Sequence, residues 1–149
     1  MAEFVSSPLN TPIHYLQEFS RRGDLDGVQE VITEHPELKD ELAPAGLNAL
    51  HSAASAGHID VVDFLISANV DVNAKSNRGD TALHFAAHRG LVDVVLKLVE
   101  AGADADIANN AGETPSDIAS NNDVQMALRG VNPHASNSIL MAEADEDSD

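Results

Sequence analysis

The stretch Gly79-Asp80-Thr81-Ala82-Leu83-His84-Phe85-Ala86-Ala87 decides the fold, because its pattern recurs along the chain at a fixed spacing. Sliding the sequence by 33 residues superimposes these pairs: Gly46 on Gly79, Leu50 on Leu83, His51 on His84, Gly57 on Gly90, Asp60 on Asp93 and Leu65 on Leu98. One more period places Thr81 over Thr114 and Ala86 over Ala119. A period of this size is the signature of a repeat architecture, in which each unit packs on its neighbours.

Each unit contains two apolar stretches. The first runs over Ala49–Ala56 or Ala82–Arg89 and ends at a glycine, and the second covers residues 60–67 or 93–100. The pattern predicts paired antiparallel helices of about two turns each. Helices of this length are not stable alone in water, so we expect their stability to come from stacking.

Residues suited to helix ends stand at the predicted boundaries. Thr81 and Thr114 can cap the first helix of their units, and an Asp opens each second helix, where the helix dipole favours negative charge. Gly102 follows a second helix where a left-handed residue closes it, and Asn69 takes that place one unit earlier. Projecting turns are predicted at residues 71–77 and 104–110.

The quoted stretch resembles the ankyrin signature G-x-T-P-L-H-x-A-A, with Ala82 where the family usually has proline. Gly102-Ala103-Asp104 is similar to the family's closing element G-A-D-V-N. The resemblance implies an all-α ankyrin-repeat solenoid of about four helix-turn-helix units with projecting β-turns, similar in size and layout to myotrophin-type regulators. We expect this domain over residues 1–129, with an N-terminal cap repeat at 8–43, repeats at 44–76 and 77–109, and a C-terminal cap repeat at 110–129.

The two ends differ from the middle, as expected for terminal repeats whose outer faces meet water. Residues 16–34 resemble a degenerate helix pair, and one extra residue predicts an altered connection near residues 37–42. The repeat pattern ends near Leu128. Residues 130–149 contain five acids and no Lys or Arg, which predicts a disordered acidic tail.

Composition excludes several classes of protein. The chain has 149 residues and no cysteine, which favours one domain in a reducing compartment and rules out thiolate chemistry. A net charge of -17 with only 8 Lys and Arg disfavours nucleic acid as a partner. No long apolar run suits a membrane span. We therefore expect a soluble monomer in the cytoplasm, with the nucleus as a further compartment.

The resemblance also implies a binding surface, since ankyrin proteins generally bind partners through the turn tips and the exposed side of the first helices. Phe85 stands out as an anchor, because aromatic residues are enriched at binding hot spots; the alternative is a packing residue between helices. Four of the candidates are arginines, so we expect a near-neutral or mildly positive groove whose ligand is apolar with some acids. The candidates are Arg21, Arg22, Ser52, Ser55, Asn77, Arg78, Asp80, Phe85, His88, Arg89, Asn110, Glu113, Ile118 and Asn121.

Sharper chemical roles compete with structural ones at a few polar residues. His51 and His84 could ligate a metal with Asp117, but the family uses this imidazole to tie adjacent turns together. His51 beside Ser52 lacks the strand-turn-helix context of a nucleophile, and no phosphate loop is present, so we expect no catalysis, cofactor, metal or small-molecule substrate. Residues 65–73 are similar to ankyrin sites hydroxylated on asparagine by the hydroxylase that inhibits hypoxia-inducible factor; the alternative for Asn73 is a turn-stabilising amide.

Two functions remain. The first is a stoichiometric adaptor or inhibitor that binds one protein partner through its concave face and turn tips. The alternative is an acidic escort or assembly chaperone for a basic client protein, with the tail masking the client's charge. The sequence does not name the partner in either case.

Overall fold

Helices are the regular structure of residues 11–44 and 46–131, the part of the chain that a computed structural model describes. No strand occurs in these ranges, and no helix within them is long and apolar enough to cross a membrane. A 3-10 turn, Pro36–Asp40, lies in the connection for which the extra residue predicted an altered path. The α-helices are α1 (Pro12–Arg22), α2 (Leu25–Glu34), α3 (Ala49–Ala56), α4 (Ile59–Ser67), α5 (Ala82–Arg89), α6 (Val92–Glu100), α7 (Pro115–Ile118) and α8 (Asn122–Leu128).

The helices form four pairs stacked along one direction. The first helices make one layer, in which α1 packs on α3, α3 on α5 and α5 on α7. The second helices make the other layer, in which α2 packs on α4, α4 on α6 and α6 on α8. This is the two-layer arrangement of a helical solenoid, so the predicted fold class is confirmed.

Small side chains bring the first helices together. Ala53 and Ala54 on α3, and Ala86 and Ala87 on α5, are all 0% exposed. Larger aliphatic side chains fill the space between the two layers, and their burial drives the stacking. They include Leu16, Leu50, Leu65, Leu83, Leu98, Val28, Val61 and Val94.

The helix ends follow the sequence closely. Thr114 Oγ1 accepts a hydrogen bond from the Asp117 amide at 3.3 Å, and Thr81 Oγ1 instead meets His84 Nδ1 at 2.9 Å. Gly102 has φ +94° and Asn69 has φ +67°, so both adopt the left-handed conformation that was predicted to close the second helices.

The boundaries differ from prediction at four helices. Helices α4 and α6 begin one residue early, at Ile59 and Val92. Helix α1 begins at Pro12, because proline at the first helical position has its φ preset and has no N–H to satisfy. Helix α7 ends after four residues, since Ala119 is extended with φ -61° and ψ 134°. Helix α8 therefore begins earlier than the 33-residue period implies.

Candidate functional site

The exposed sides of α5 and α7, together with the turn that joins the last two repeats, enclose a hollow of about 580 Å³. We call it the α5 hollow. Its lining residues come from helices α5 and α7 and from the turn that precedes each of them, and most belong to the surface predicted from the sequence. They are Arg78, Asp80, His84, Phe85, His88, Asn109, Asn110, Ala111, Glu113 and Ile118.

Phe85 forms one wall of the hollow. The centre of its ring lies 5.4 Å from that of His51 in the preceding repeat, at an interplanar angle of 48°. The side chain is half-buried, and Ile118 on α7, also half-buried, lines the same space. Phe85 therefore packs on a neighbouring repeat and also lines the hollow, and its role as a binding anchor stays a prediction.

The charged groups of the hollow include two carboxylates bridged by one amide. Asn109 Nδ2 donates to Asp80 Oδ1 at 2.8 Å and lies 3.2 Å from Glu113 Oε1. Arg78 is the one guanidinium in the lining, and it is exposed. Counted with neutral histidines, the hollow itself carries a formal net charge of one negative unit, and the near-neutral or mildly positive charge expected for the whole groove stays a prediction.

The turn tips on the same side are locked together by backbone bonds. The Asn77 amide donates to the carbonyl of Gly46 at 3.1 Å, and the Asn110 amide donates to the carbonyl of Arg78 at 3.0 Å. Gly46 has φ +86°, in the left-handed region that favours glycine, and a β-carbon there would collide with the Asn77 side chain. The tips are thus held in place before any partner arrives, which lowers the entropic cost of binding.

His51 and His84 tie neighbouring segments together. Nε2 of His51 donates to the carbonyl of Ala74 at 2.9 Å, and Nε2 of His84 donates to the carbonyl of Glu113 at 2.8 Å. Their Nδ1 atoms accept from the backbone amides of the N-cap residues, at 3.1 Å for His51 and 2.9 Å for His84. Burial lowers the pKa of His51 below its ordinary value of 6.5. Both rings are therefore engaged in structural bonds.

The sequence matches a known family of repeat proteins. A family model described as ankyrin repeats, in three copies, matches residues 13–109 and 69–137. The chain belongs to the ankyrin-repeat family. These ankyrin repeats, together with relatives that are named as regulators and inhibitors, support a protein-interaction module.

Three curated relatives share part of the ankyrin region. Human apoptosis-stimulating of p53 protein 2 is 42% identical over 65 residues, which are 42% of this chain and 6% of that protein. Mouse RelA-associated inhibitor is 35% identical over 70 residues, 46% of this chain and 8% of that protein. Rat 26S proteasome non-ATPase regulatory subunit 10 is 39% identical over 57 residues, 38% of this chain and 25% of that protein. The matches thus span a quarter or less of each relative.

Arg21 and Arg22 lie apart from the hollow, at the end of α1 in the first ankyrin unit. Both are exposed, and both contact Glu18, at 2.6 Å from Arg21 and 2.7 Å from Arg22. The hydrogen bond from Arg21 lowers the pKa of Glu18 below its ordinary value of 4.5. One acid therefore offsets part of the positive charge that this pair was expected to give the groove.

The remaining candidates on the first helices differ in accessibility. Ser52 is only 7% exposed and accepts a hydrogen bond from Gln17, so we leave it out of the contact surface. Ser55 is half-buried one turn further along α3. Arg89 and His88 are exposed at the end of α5, and no described residue forms an ion pair with Arg89.

Asn121 lies on a different surface from the other candidates. Because α7 ends at Ile118, Asn121 is the N-cap of α8, where its Oδ1 accepts from the Val124 amide at 2.9 Å. It borders a second hollow of about 410 Å³ near Gly90 and Leu91, at the edge opposite the turn tips. The 33-residue period placed it on a full-length first helix, which this last ankyrin unit does not form.

Asn73 stabilises the turn that carries it, as one of its two predicted roles requires. Its Oδ1 accepts a hydrogen bond from the backbone amide of Asp104 at 2.7 Å, and the backbone amide of Asn73 donates to Asp71 Oδ1 at 3.0 Å. Asp40 makes the matching bond one unit earlier, to the Asp71 amide at 2.8 Å. The side chain at this position thus links consecutive turn tips.

Sequence reasoning missed Asn109, which joins the two carboxylates of the hollow. The signal was available in the repeat, because Asn109 stands 33 residues after Ser76. Both residues organise the same turn: the amide of Ser76 donates to the carbonyl of Asp80 at 2.8 Å, and that of Asn109 to the carbonyl of Glu113 at 2.9 Å. What the period does not show is the second bond, from the Asn109 side chain to Asp80.

Proposed function

We propose that this protein binds one protein partner stoichiometrically, as an adaptor or inhibitor, through its concave face. The observation that carries the proposal is the α5 hollow, where a half-buried aromatic ring and an aliphatic side chain are surrounded by charged groups. Binding hot spots combine such an apolar anchor with a polar rim. The proposed contact residues are Ser55, Asn77, Arg78, Asp80, Phe85, His88, Arg89, Asn110, Glu113 and Ile118.

The names of the relatives favour this type of function. One is an inhibitor associated with another protein, and one is a regulatory subunit of a large assembly. Because the matches cover so little of those proteins, their partners are not transferred to this chain. Both names describe proteins that act by associating with other proteins. A rigid concave surface supports such association.

The escort for a basic client is the second candidate, and one observation favours it. The second helices present exposed acids to solvent, whereas Lys97 on the same layer lies 3.4 Å from Asp63 and is partly neutralised. The acidic residues 143–149 lie outside the described part of the chain. A positively charged client would be attracted to this outer layer. The exposed acids are Asp26, Glu30, Glu34, Asp60, Asp63, Asp93, Glu100 and Asp123.

The adaptor reading is tested by removing the anchors of the concave face. Phe85→Ala with Arg89→Ala should retain the far-ultraviolet circular dichroism of the native protein and lose more than about 2 kcal/mol of binding free energy, or roughly 30-fold in affinity. A matched control, Glu30→Ala with Glu100→Ala, alters exposed positions on the second helices and should bind normally. Unchanged affinity in the folded Phe85 and Arg89 variant would place the binding site elsewhere.

The escort reading is tested by ending the chain at Gly130. The full chain and the shortened one are compared for capture of partners at low and at physiological salt. A basic client that needs residues 131–149 and dissociates in salt would establish the escort, because exposed charge pairs are screened by ions. The same salt-resistant partner on both versions would establish the adaptor.

Four accompanying proposals complete this picture. The ankyrin domain covers residues 1–129, with residues 130–149 as an acidic tail. The protein acts as a monomer, which analytical ultracentrifugation at micromolar concentration tests. Its location is the cytoplasm or the nucleus. Asn73 is proposed as a hydroxylation site in addition to its structural role. Mass spectrometry of the peptide that contains Asn73, taken from native protein, would exclude this if the mass of one added oxygen is absent.

A further inference from the structure

The two carboxylates of the α5 hollow have no ion-pair partner among the described residues. Asp80 and Glu113 share the amide of Asn109, a neutral donor, and neither forms an ion pair within the described residues. Each carboxylate has lone pairs left over after accepting one bond. The hollow therefore offers acceptors for a further positively charged group.

The neighbouring wall of the hollow is apolar. The Phe85 ring contacts His51 and also lines the hollow beside Ile118. The aliphatic stem of a long charged side chain can lie along such apolar side chains. The volume of about 580 Å³ falls in the range that encloses a ligand of the size of one long side chain with its flanking backbone.

We propose that the α5 hollow binds an arginine side chain of the partner, with its guanidinium on Asp80 and Glu113 and its stem against Phe85. This inference rests on the proposed function and names the chemistry of the partner at that surface. Arginine fits better than lysine, because a planar guanidinium bonds two carboxylates at once and loses less hydration. An acidic ligand, which the sequence suggested, would meet two carboxylates and find only Arg78 to attract it.

The positive charge of Arg78 opposes an incoming guanidinium and so limits the affinity of the hollow for arginine. Arg78 is exposed on the same rim, and no described residue pairs with its side chain. Its charge is screened by solvent, whereas the bonds to the carboxylates are short-ranged. Arg78→Gln should therefore tighten binding of an isolated arginine by a factor of about two to three.

The test uses the full chain and three capped pentapeptides, Gly-Ala-Xaa-Ala-Gly, in which Xaa is arginine, lysine or citrulline. Citrulline has nearly the shape of arginine and no charge. Backbone amide shifts of Asp80, Phe85 and Glu113 are followed by nuclear magnetic resonance. The arginine peptide should produce saturable shifts in the millimolar range, and citrulline should bind at least about tenfold more weakly because the charge-assisted bonds are lost.

Conservative variants localise the effect. Asp80→Asn with Glu113→Gln keeps an acceptor oxygen for Asn109 and should lose about tenfold or more in affinity for the arginine peptide. Glu37→Gln with Glu41→Gln removes the same charge from exposed positions between α2 and α3 and should bind normally. No saturable shift, equal binding of arginine and citrulline, or full binding by the Asp80 and Glu113 variant would each overturn the proposal.

This proposal can fail while the proposed function stands. If the partner protein is lost on Phe85→Ala with Arg89→Ala but retained on Asp80→Asn with Glu113→Gln, the concave face binds it without an arginine. If neither pair of substitutions weakens the partner, the proposed function is wrong as well.

Discussion

Replacing His84 with alanine should destabilise the protein far more than replacing its neighbour His88. His84 is 1% exposed, and its two ring nitrogens bond the Thr81 amide and the Glu113 carbonyl. His84→Ala leaves both backbone groups without these partners and opens a cavity beside α5. Unsatisfied groups cost about 1 to 3 kcal/mol when buried, and the Glu113 carbonyl can regain water, so we expect a loss of about 2 to 4 kcal/mol.

Urea unfolding followed by circular dichroism measures this loss. With a slope of about 2 kcal/mol per molar urea, the midpoint should fall by about 1 to 2 M for His84→Ala. His88→Ala, at an exposed position one turn further along α5, should change stability by no more than about 0.5 kcal/mol. Equal midpoints for the two variants would refute the conclusion that His84 joins neighbouring repeats.

Two further stability changes follow from single residues. Burial holds the pKa of His51 below 6.5 in the folded protein, so as the pH falls this histidine is protonated in the unfolded chain before it is protonated in the folded one. The free energy of unfolding should therefore decrease as the pH drops through about 6.5. Unfolding curves between about pH 7.5 and 5.5 measure this, and a rise in stability would contradict it. Asn69→Gly should stay within about 0.5 kcal/mol of the native stability, whereas Asn69→Ala should lose about 1 kcal/mol, because φ is +67° there; equal stabilities would contradict the conformational cost.

The repeat period predicted the helix pairs well because the same packing recurs in each unit. Helices α3 and α5 occupy the predicted Ala49–Ala56 and Ala82–Arg89, since alanines and a closing glycine stand at equivalent positions in both units. The period could not predict the short α7. Its residues through Ile118 follow the pattern, but Ala119 is extended, and Asn121 then caps the next helix instead of continuing the first.

The candidate site was predicted in outline, and the charge expected for the groove as a whole stays a prediction. Position along the repeat correctly brought Phe85, Asp80 and Glu113 to one surface, because equivalent residues of stacked units lie side by side. Side-chain pairing is not periodic, however. Arg21 and Arg22 pair with Glu18 at the other end of the stack, and a composition count cannot show that no described residue forms an ion pair with the carboxylates near Phe85.

Site-specific cross-linking most directly tests whether the concave face binds the partner. The chain contains no cysteine, so a single one can carry a photo-activated group without competing labels. His88→Cys places that group on the rim of the α5 hollow, and Gln29→Cys places it at an exposed position on α2. The partner captured by the native protein should cross-link to the His88→Cys variant and not to Gln29→Cys. Cross-linking from Gln29→Cys alone, with both variants folded, would contradict binding through the concave face.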